Sequence, residues 1–197
     1  TSLKYRHSSI SQYEDRTGDP YSVNSTVLSL LSATQSSNLE KQHKILDIGC
    51  GQGYLAKQLA AMAFNVTTID KFPRTTAPGE AHIVMDLDLD FWPIDISQYD
   101  SVLALDIIEH LNSPERFLLD LKNKIGSNHA PLVYLSTPNV AFFLLRLGLF
   151  FGRFSYADRG ILDITHKRLF TSHSLKKLLR ETGYEIKSQI GIGAPVL

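Results

Sequence analysis

The stretch ILDIGCGQGYLAKQLA, from Ile45 to Ala60, constrains this chain more than any other. It reads as a buried strand, a glycine turn and then a helix rich in Ala, Leu and Lys. Gly49, Gly51 and Gly53 remove three side chains within five residues. Such a turn needs positive φ, or a partner lying close against the backbone. The helix that follows presents unpaired N–H groups at its first turn. Together they predict a nucleotide cradle at the end of a parallel strand.

The rest of the chain repeats the alternation. A helix is expected over about 20–37, where Val23, Val27, Leu30 and Leu31 recur at helical spacing. Strands are expected at Lys44–Gly49, Asn65–Asp70, His82–Asp86, Asp100–Leu105 and Pro131–Thr137, with a last one at Tyr184–Ile190. Helices are expected at Tyr54–Ala63, from Ser113-Pro114 to about Ile125, and at Ser172–Thr182 with Gly183 as its stop. Strands alternating with helices imply an α/β fold: a doubly wound, Rossmann-like, mostly parallel sheet with helices on both faces. Ligands of such sheets bind at the carboxyl ends of the strands. The 197 residues suit one domain, with an apolar, lid-like insertion at about 139–165.

Composition narrows the function. Twenty basic and twenty acidic residues balance, so no bulk charge draws the chain to nucleic acid. Cys50 is the single cysteine, which excludes an intrachain disulfide and fits a reducing, cytoplasmic setting. Its place between two glycines reads as a small turn residue rather than a reactive thiol. No apolar run is long enough to span a bilayer. The chain opens on Thr1, as a processed protein or an excised domain would.

The glycine spacing excludes two nucleotide classes. Dinucleotide sites use G-x-G-x-x-G, whereas Gly49, Gly51 and Gly53 give G-x-G-x-G after Asp47. The phosphate loop G-x-x-x-x-G-K-[ST] is absent from the sequence. Asp70 ends the second strand, at the usual distance for an acid that accepts from ribose hydroxyls. Asp86 ends the third, on the same edge, where a carboxylate accepts from an adenine amino group. Each aspartate alone is equally explained as a turn cap. Their order along the chain suits an adenosine that carries no pyrophosphate.

This combination resembles the class I S-adenosylmethionine-dependent methyltransferases, and LDIGCGQGYLA matches the family's first motif. The resemblance runs from about Val23 to Ile190. It implies that the glycine loop, Gly49, Cys50, Gly51 and Gly53, contacts the methionine end of the cofactor. It places the ribose on Asp70 and the adenine by Asp86 and Leu87, and it adds Asp47, Lys71 and Asp106 to the cofactor set. S-adenosylhomocysteine is the implied product. The family's sheet closes with a hairpin of two strands. GIGAPVL is too short to return after Tyr184–Ile190, so the last strand is expected to be missing.

The acceptor side is expected at DIIEHL, after the fourth strand. Asp106, Glu109 and His110 share one face if this segment is helical. His166 follows in DITHKRLF, where the chain folds back over the site. His110 and His166 are the candidate bases for a hydroxyl, with Glu109 or Asp106 beside His110. His110 is alternatively a turn cap that bonds a neighbouring carbonyl. A divalent metal is a competing use of the same group, because the pattern is similar to the E-x-x-E-H of metal-assisted O-methyltransferases. Asp106 stands where those have Glu. His82, His129 and His173 read as surface residues, and Tyr13 and Tyr21 as possible walls of an acceptor pocket.

Val140–Phe154 is the most apolar stretch, with Arg146 and Arg153 as its only charges. Three readings stand: a lid over an apolar acceptor, a partner surface, and a peripheral membrane contact. The later H-x-R-x-F-T, at His166 to Thr171, resembles the ubiquinone, natural-product and glycan branch of the family. It implies a small-molecule or lipid- or glycan-linked acceptor. No N-P-P-Y-type motif follows the fourth strand, which favours oxygen or carbon as the methylated atom, and O-methylation is the expected reaction. A catalytically silent cofactor-binding scaffold and a nucleotide-dependent oxidoreductase are the rival functions.

Overall fold

In the computed structural model, residues 15, 18–35, 42–89, 92, 94–125 and 130–193 are described. The strands are β1 (Lys44–Ile48), β2 (Asn65–Asp70), β3 (Glu80–Val84), β4 (Ser101–Leu105) and β5 (Leu132–Ser136). All pair in parallel, in the order β3-β2-β1-β4-β5. The order reverses between β1 and β4, so the crevice that binds ligands in such sheets opens above these two strands.

Strand periodicity divides the core between two faces. Ile45 of β1 and Leu103 of β4 face α1 (Val23–Gln35) and α2 (Tyr54–Ala61), with Leu31, Leu59 and Phe64. Leu46, Ile48, Val102 and Ala104 face the other way. They pack with Phe117, Leu118 and Leu121 of α3 (Pro114–Ile125) and Leu178 of α5 (Ser172–Glu181). Capping follows the sequence. Ser22 Oγ accepts from Ser25 N. Thr171 and Ser174 form a reciprocal capping box on α5. Gly183, at φ 81°, ends that helix.

Three expectations change. The third strand lies two residues earlier than read, so Asp86 sits in the turn beyond it. DIIEHL forms only a 3-10 turn, Ile108–His110, because the chain leaves β4 through Asp106 at φ 49°, outside any helix. No strand forms at Tyr184–Ile190. One arm of a hairpin has no ladder without the other, and among the described residues nothing pairs with the outer edge of β5.

The connection from β2 to β3 is unusual. Parallel neighbours normally need a crossover of a dozen or more residues, usually a helix. Here residues 71–79 cross without one. The apolar insertion forms α4 (Phe143–Phe150), none of whose residues is buried. No described helix is long and apolar enough to cross a membrane.

Candidate active site

The three glycines adopt positive φ, at 73°, 53° and 72° for Gly49, Gly51 and Gly53. Gly49 N and Cys50 N both donate to the Ile69 carbonyl, at 2.8 and 3.2 Å. Gly51 N donates to Asp70 Oδ2 at 2.9 Å. The loop therefore hangs from the end of β2. Protein groups already lie against two of the glycines. A Cβ at Gly49 would sit 2.8 Å from Ile107 Cδ1, and one at Gly53 would collide with the guanidinium of Arg74.

A cleft along the carboxyl edge of the sheet is lined by Asp47, the loop, Asp70, Lys71, Asp86, Leu87 and Asp106, and by His110 and His166. Every expected cofactor residue except Gly53 thus lines the same cleft as the two histidines. Asp70 spends one oxygen on Gly51 N and the other on Phe72 N, at 3.1 Å. A carboxylate has about four acceptor positions, so room for ribose hydroxyls remains. Asp86 Oδ1 accepts from Asp88 N at 2.9 Å, an Asx turn. Lys71 lies over the Phe72 ring, 5.0 Å from its centroid.

Asp47 is buried at the foot of the loop. Burial pushes its carboxyl up to about 7; Arg74 opposes the rise, and Asp70 and Glu80 add to it. Burial also pushes the Cys50 thiol up to about 12, with Asp47 adding to the effect. Cys50 is a protonated turn residue at neutral pH, not a nucleophile.

The acceptor side holds a tighter group. One ligand atom each from Glu109, His110 and His166 lies within 4.8 Å of the others. The two imidazole centroids are 4.8 Å apart. Lys167 N and Arg168 N donate to the Glu109 carbonyl at 2.8 and 3.1 Å, which pins the returning chain over the 3-10 turn. His110 Nδ1 faces the Thr165 carbonyl at 3.3 Å, and His166 Nδ1 faces the Ile161 carbonyl at 3.0 Å. Carbonyls only accept, so each Nδ1 donates and Nε2 is the nitrogen left for another partner. Burial, then His166, hold the His110 imidazole below its ordinary value and so neutral.

Glu109 is 1% exposed, and neither carboxylate oxygen has a hydrogen-bond partner. The Thr137 hydroxyl, also buried, lies near enough to lower the Glu109 carboxyl slightly but not in hydrogen-bond geometry with it. Burial first, then Asp106, push the Glu109 carboxyl up to about 8. An orphaned carboxylate beside two imidazoles is a donor set that fits a divalent metal. Asp106 is not part of it. Its Oδ1 accepts from Ser136 Oγ at 2.7 Å, and its backbone turns away from the 3-10 turn. The expected pairing of His110 with an acid by hydrogen bond is not formed; its partners are Thr165 atoms.

Other expectations sort as follows. His82 is not an idle surface residue: it bonds Thr68 Oγ1 at 2.9 Å and the Phe72 carbonyl at 3.0 Å, bracing the 71–79 loop. Tyr21 lines the cleft mouth and is 66% exposed. Tyr13 and His129 lie outside the described residues. Sequence reasoning missed Arg74, Glu80 and Thr137. No motif marks them: the Arg74–Glu80 pair meets only when the 71–79 loop folds back on itself, and Thr137 comes to Glu109 from the end of another strand.

A family model described as a methyltransferase domain matches residues 21–189. The ubiquinone biosynthesis O-methyltransferase of Rickettsia canadensis is 28% identical over 156 residues, 76% of this chain and 65% of that protein. The mitochondrial ubiquinone biosynthesis O-methyltransferase of Schizosaccharomyces pombe is 30% identical over 117 residues, 54% of this chain and 43% of that protein. The chain thus spans a little under two thirds of the length of the Rickettsia canadensis relative. Among solved structures, a SAM-dependent methyltransferase from Aquifex aeolicus superposes with a TM-score of 0.59 at 15% identity, covering 92% of this chain and 88% of that one. The plantazolicin methyltransferase, solved in complex with a pentazolic desmethylPZN analog and SAH, gives 0.59 at 20% identity, covering 85% of this chain and 65% of that one. These likenesses establish the fold.

Proposed function

Since this chain belongs to the methyltransferase-domain family, we propose that it methylates a hydroxyl oxygen of a small-molecule or lipid-linked acceptor with S-adenosylmethionine, leaving S-adenosylhomocysteine. Relatives named as O-methyltransferases support the choice of oxygen. The observation that carries the reading is the juxtaposition on one cleft of the glycine loop and the Glu109–His110–His166 group.

In this reading the residues divide the work. Gly49, Cys50, Gly51 and Gly53 seat the methionine end of the cofactor, with Asp47 beneath. Asp70 accepts from the ribose, and Asp86, Leu87 and Lys71 flank the adenine. Asp106 borders the space between cofactor and acceptor. S-adenosylmethionine supplies a methyl group already activated by its sulfonium. Alignment of the acceptor is therefore the main task left to the protein. As the new O–C bond forms and the C–S bond breaks, Nε2 of His110 or His166 takes the hydroxyl proton. The His110 imidazole, held below its ordinary value by burial and by His166, suits that role.

The orphaned Glu109 carboxylate favours a second use of the same group. Glu109, His110 and His166 would hold a divalent ion, which acidifies a bound hydroxyl. A mixed nitrogen and oxygen set suits Mn²⁺ or Zn²⁺ better than Mg²⁺.

A lipid-linked acceptor and a peripheral membrane contact are supported by α4 and its flank. Phe143, Leu147, Phe150 and Phe151 are exposed there, and the only charges in 140–154 are Arg146 and Arg153. A cytoplasmic setting is supported by the single, unpaired thiol of Cys50.

The test is transfer of a labelled methyl group to a panel of simple and prenylated phenols, with and without Mn²⁺, alongside titration with S-adenosylhomocysteine. Transfer to a phenol supports the reading. Cofactor binding with no transfer to any acceptor would make the chain a silent scaffold. Binding of NAD in place of the adenosyl cofactor would make it an oxidoreductase.

A further inference from the structure

The glycine loop rests on a buried guanidinium that no motif announces. Arg74 stands in the 71–79 connection, where a parallel crossover normally carries a helix. Its side chain is 6% exposed and that of Glu80 is fully buried. Arg74 Nη2 lies 3.0 Å from Glu80 Oε2 and donates to Thr68 Oγ1 at 3.1 Å. Nη1 donates to the Thr75 carbonyl at 3.1 Å. Glu80 Oε2 also accepts from Ala77 N at 3.0 Å, so the pair closes the loop on itself.

The guanidinium fills the space that Gly53 leaves. A Cβ there would lie 2.8 Å from Arg74 Nε and closer still to the guanidinium carbon. The Nε–H is buried and has no partner. A buried donor left unpaired is costly, so its position is enforced by the groups around it. Its charged neighbours are acidic: Glu80 is its ion-pair partner, and Arg74 lowers the Asp47 carboxyl that Asp70 and Glu80 raise.

We propose that Arg74 is a positioning residue for the methyl donor: its guanidinium, seated under Gly53 and tied to Glu80 and Thr68, props the glycine loop against the Asp70 turn. The inference rests on the adenosyl-cofactor reading above. Two properties follow. The loop's height depends on the guanidinium, so donor affinity depends on a side chain that need not touch the donor. The charge balance at Asp47 depends on the same group, since Arg74 outweighs Asp70 and Glu80 individually among its charged neighbours.

The experiment is calorimetric titration of the whole chain with S-adenosylhomocysteine from pH 6 to pH 9. It compares the wild type with Arg74→Met combined with Glu80→Gln. Removing both partners leaves neither member of the pair as an orphaned charge, although Asp47 loses its cation, and replacements of this kind are often neutral in stability. The double variant is expected to bind about tenfold more weakly at pH 7.5, as a small misplacement of a binding loop would cause. Its binding is also expected to fall off at a higher pH than in the wild type as the pH is lowered, because Asp47 has lost its cation. Affinity within twofold of wild type, or a uniform loss at every pH, would overturn the proposal. If the double variant is not folded by circular dichroism, Arg74→Lys decides. It keeps the charge but not the fork. Weaker binding with the wild-type pH midpoint supports the proposal, and unchanged affinity overturns it. Wild-type protein that binds no S-adenosylhomocysteine at any pH would instead remove the cofactor reading itself.

Discussion

Glu109→Gln is expected to stabilise the protein above neutral pH while removing its activity. The carboxyl is buried, lacks a partner, and is raised from 4.5 to about 8. Between those values the folded protein keeps a proton that the unfolded chain has lost. Stability therefore falls as pH rises through this window and levels off above it. The ceiling is about 5 kcal/mol, taking 1.36 kcal/mol for each pH unit. Local relaxation and water entry reduce it, so roughly 2–3 kcal/mol is expected at pH 9. For a chain of this size that is a rise in Tm of about 5–10 °C. Glutamine is neutral throughout, so the gain should shrink toward zero near pH 4.5. The assay is differential scanning calorimetry of both proteins at pH 5 and pH 9 with a chelator present. A lower Tm for the variant at pH 9, or the same offset at both pH values, would refute the reasoning. Adding Mn²⁺ or Zn²⁺ should raise the wild-type Tm and leave the variant unmoved.

Four further outcomes are expected. His110→Gln and His166→Gln should each lower kcat by about 10²–10⁴ and keep S-adenosylhomocysteine affinity within about twofold, by stopped assay and calorimetry. Gly53→Ala should lose about 1–2 kcal/mol of stability from its left-handed backbone alone. It should also weaken cofactor binding, because the added methyl displaces Arg74; denaturant titration and calorimetry separate the two. Thr171→Ala removes the hydroxyl that caps Ser174 N at the start of α5 and should cost about 1 kcal/mol in a urea titration. Phe150→Asp with Phe151→Asp should leave Tm within a degree or two and abolish sedimentation with anionic vesicles, since both side chains are exposed.

The sheet was legible wherever a strand is buried on both faces. ILDI and NVTTID carry runs of apolar or β-branched residues, and β2 starts and stops where its sequence does. β3 was harder to place because it opens on Glu80, a charge that reads as loop and is neutralised only by Arg74. The 184–190 segment has a strand's composition, yet composition supplies no hydrogen-bonding partner. At the candidate site, the glycine spacing and Asp70 stand out locally. The geometry of DIIEHL does not. Helical spacing puts Asp106 with Glu109 and His110, but the left-handed turn at Asp106 separates them. His166 was findable only as a histidine expected to fold back. Arg74 was not findable, because its partners Thr68, Glu80 and Gly53 meet only in the folded chain.

The central claim is that the Gly49–Gly53 loop and Asp70 form a cradle for an adenosyl cofactor. Calorimetric titration with S-adenosylmethionine, S-adenosylhomocysteine and NAD, each with and without a divalent ion, tests it most directly. Saturable one-to-one binding of the first two, lost in Gly51→Val, is the expected result. Binding of NAD alone, or binding that survives Gly51→Val unchanged, would contradict it.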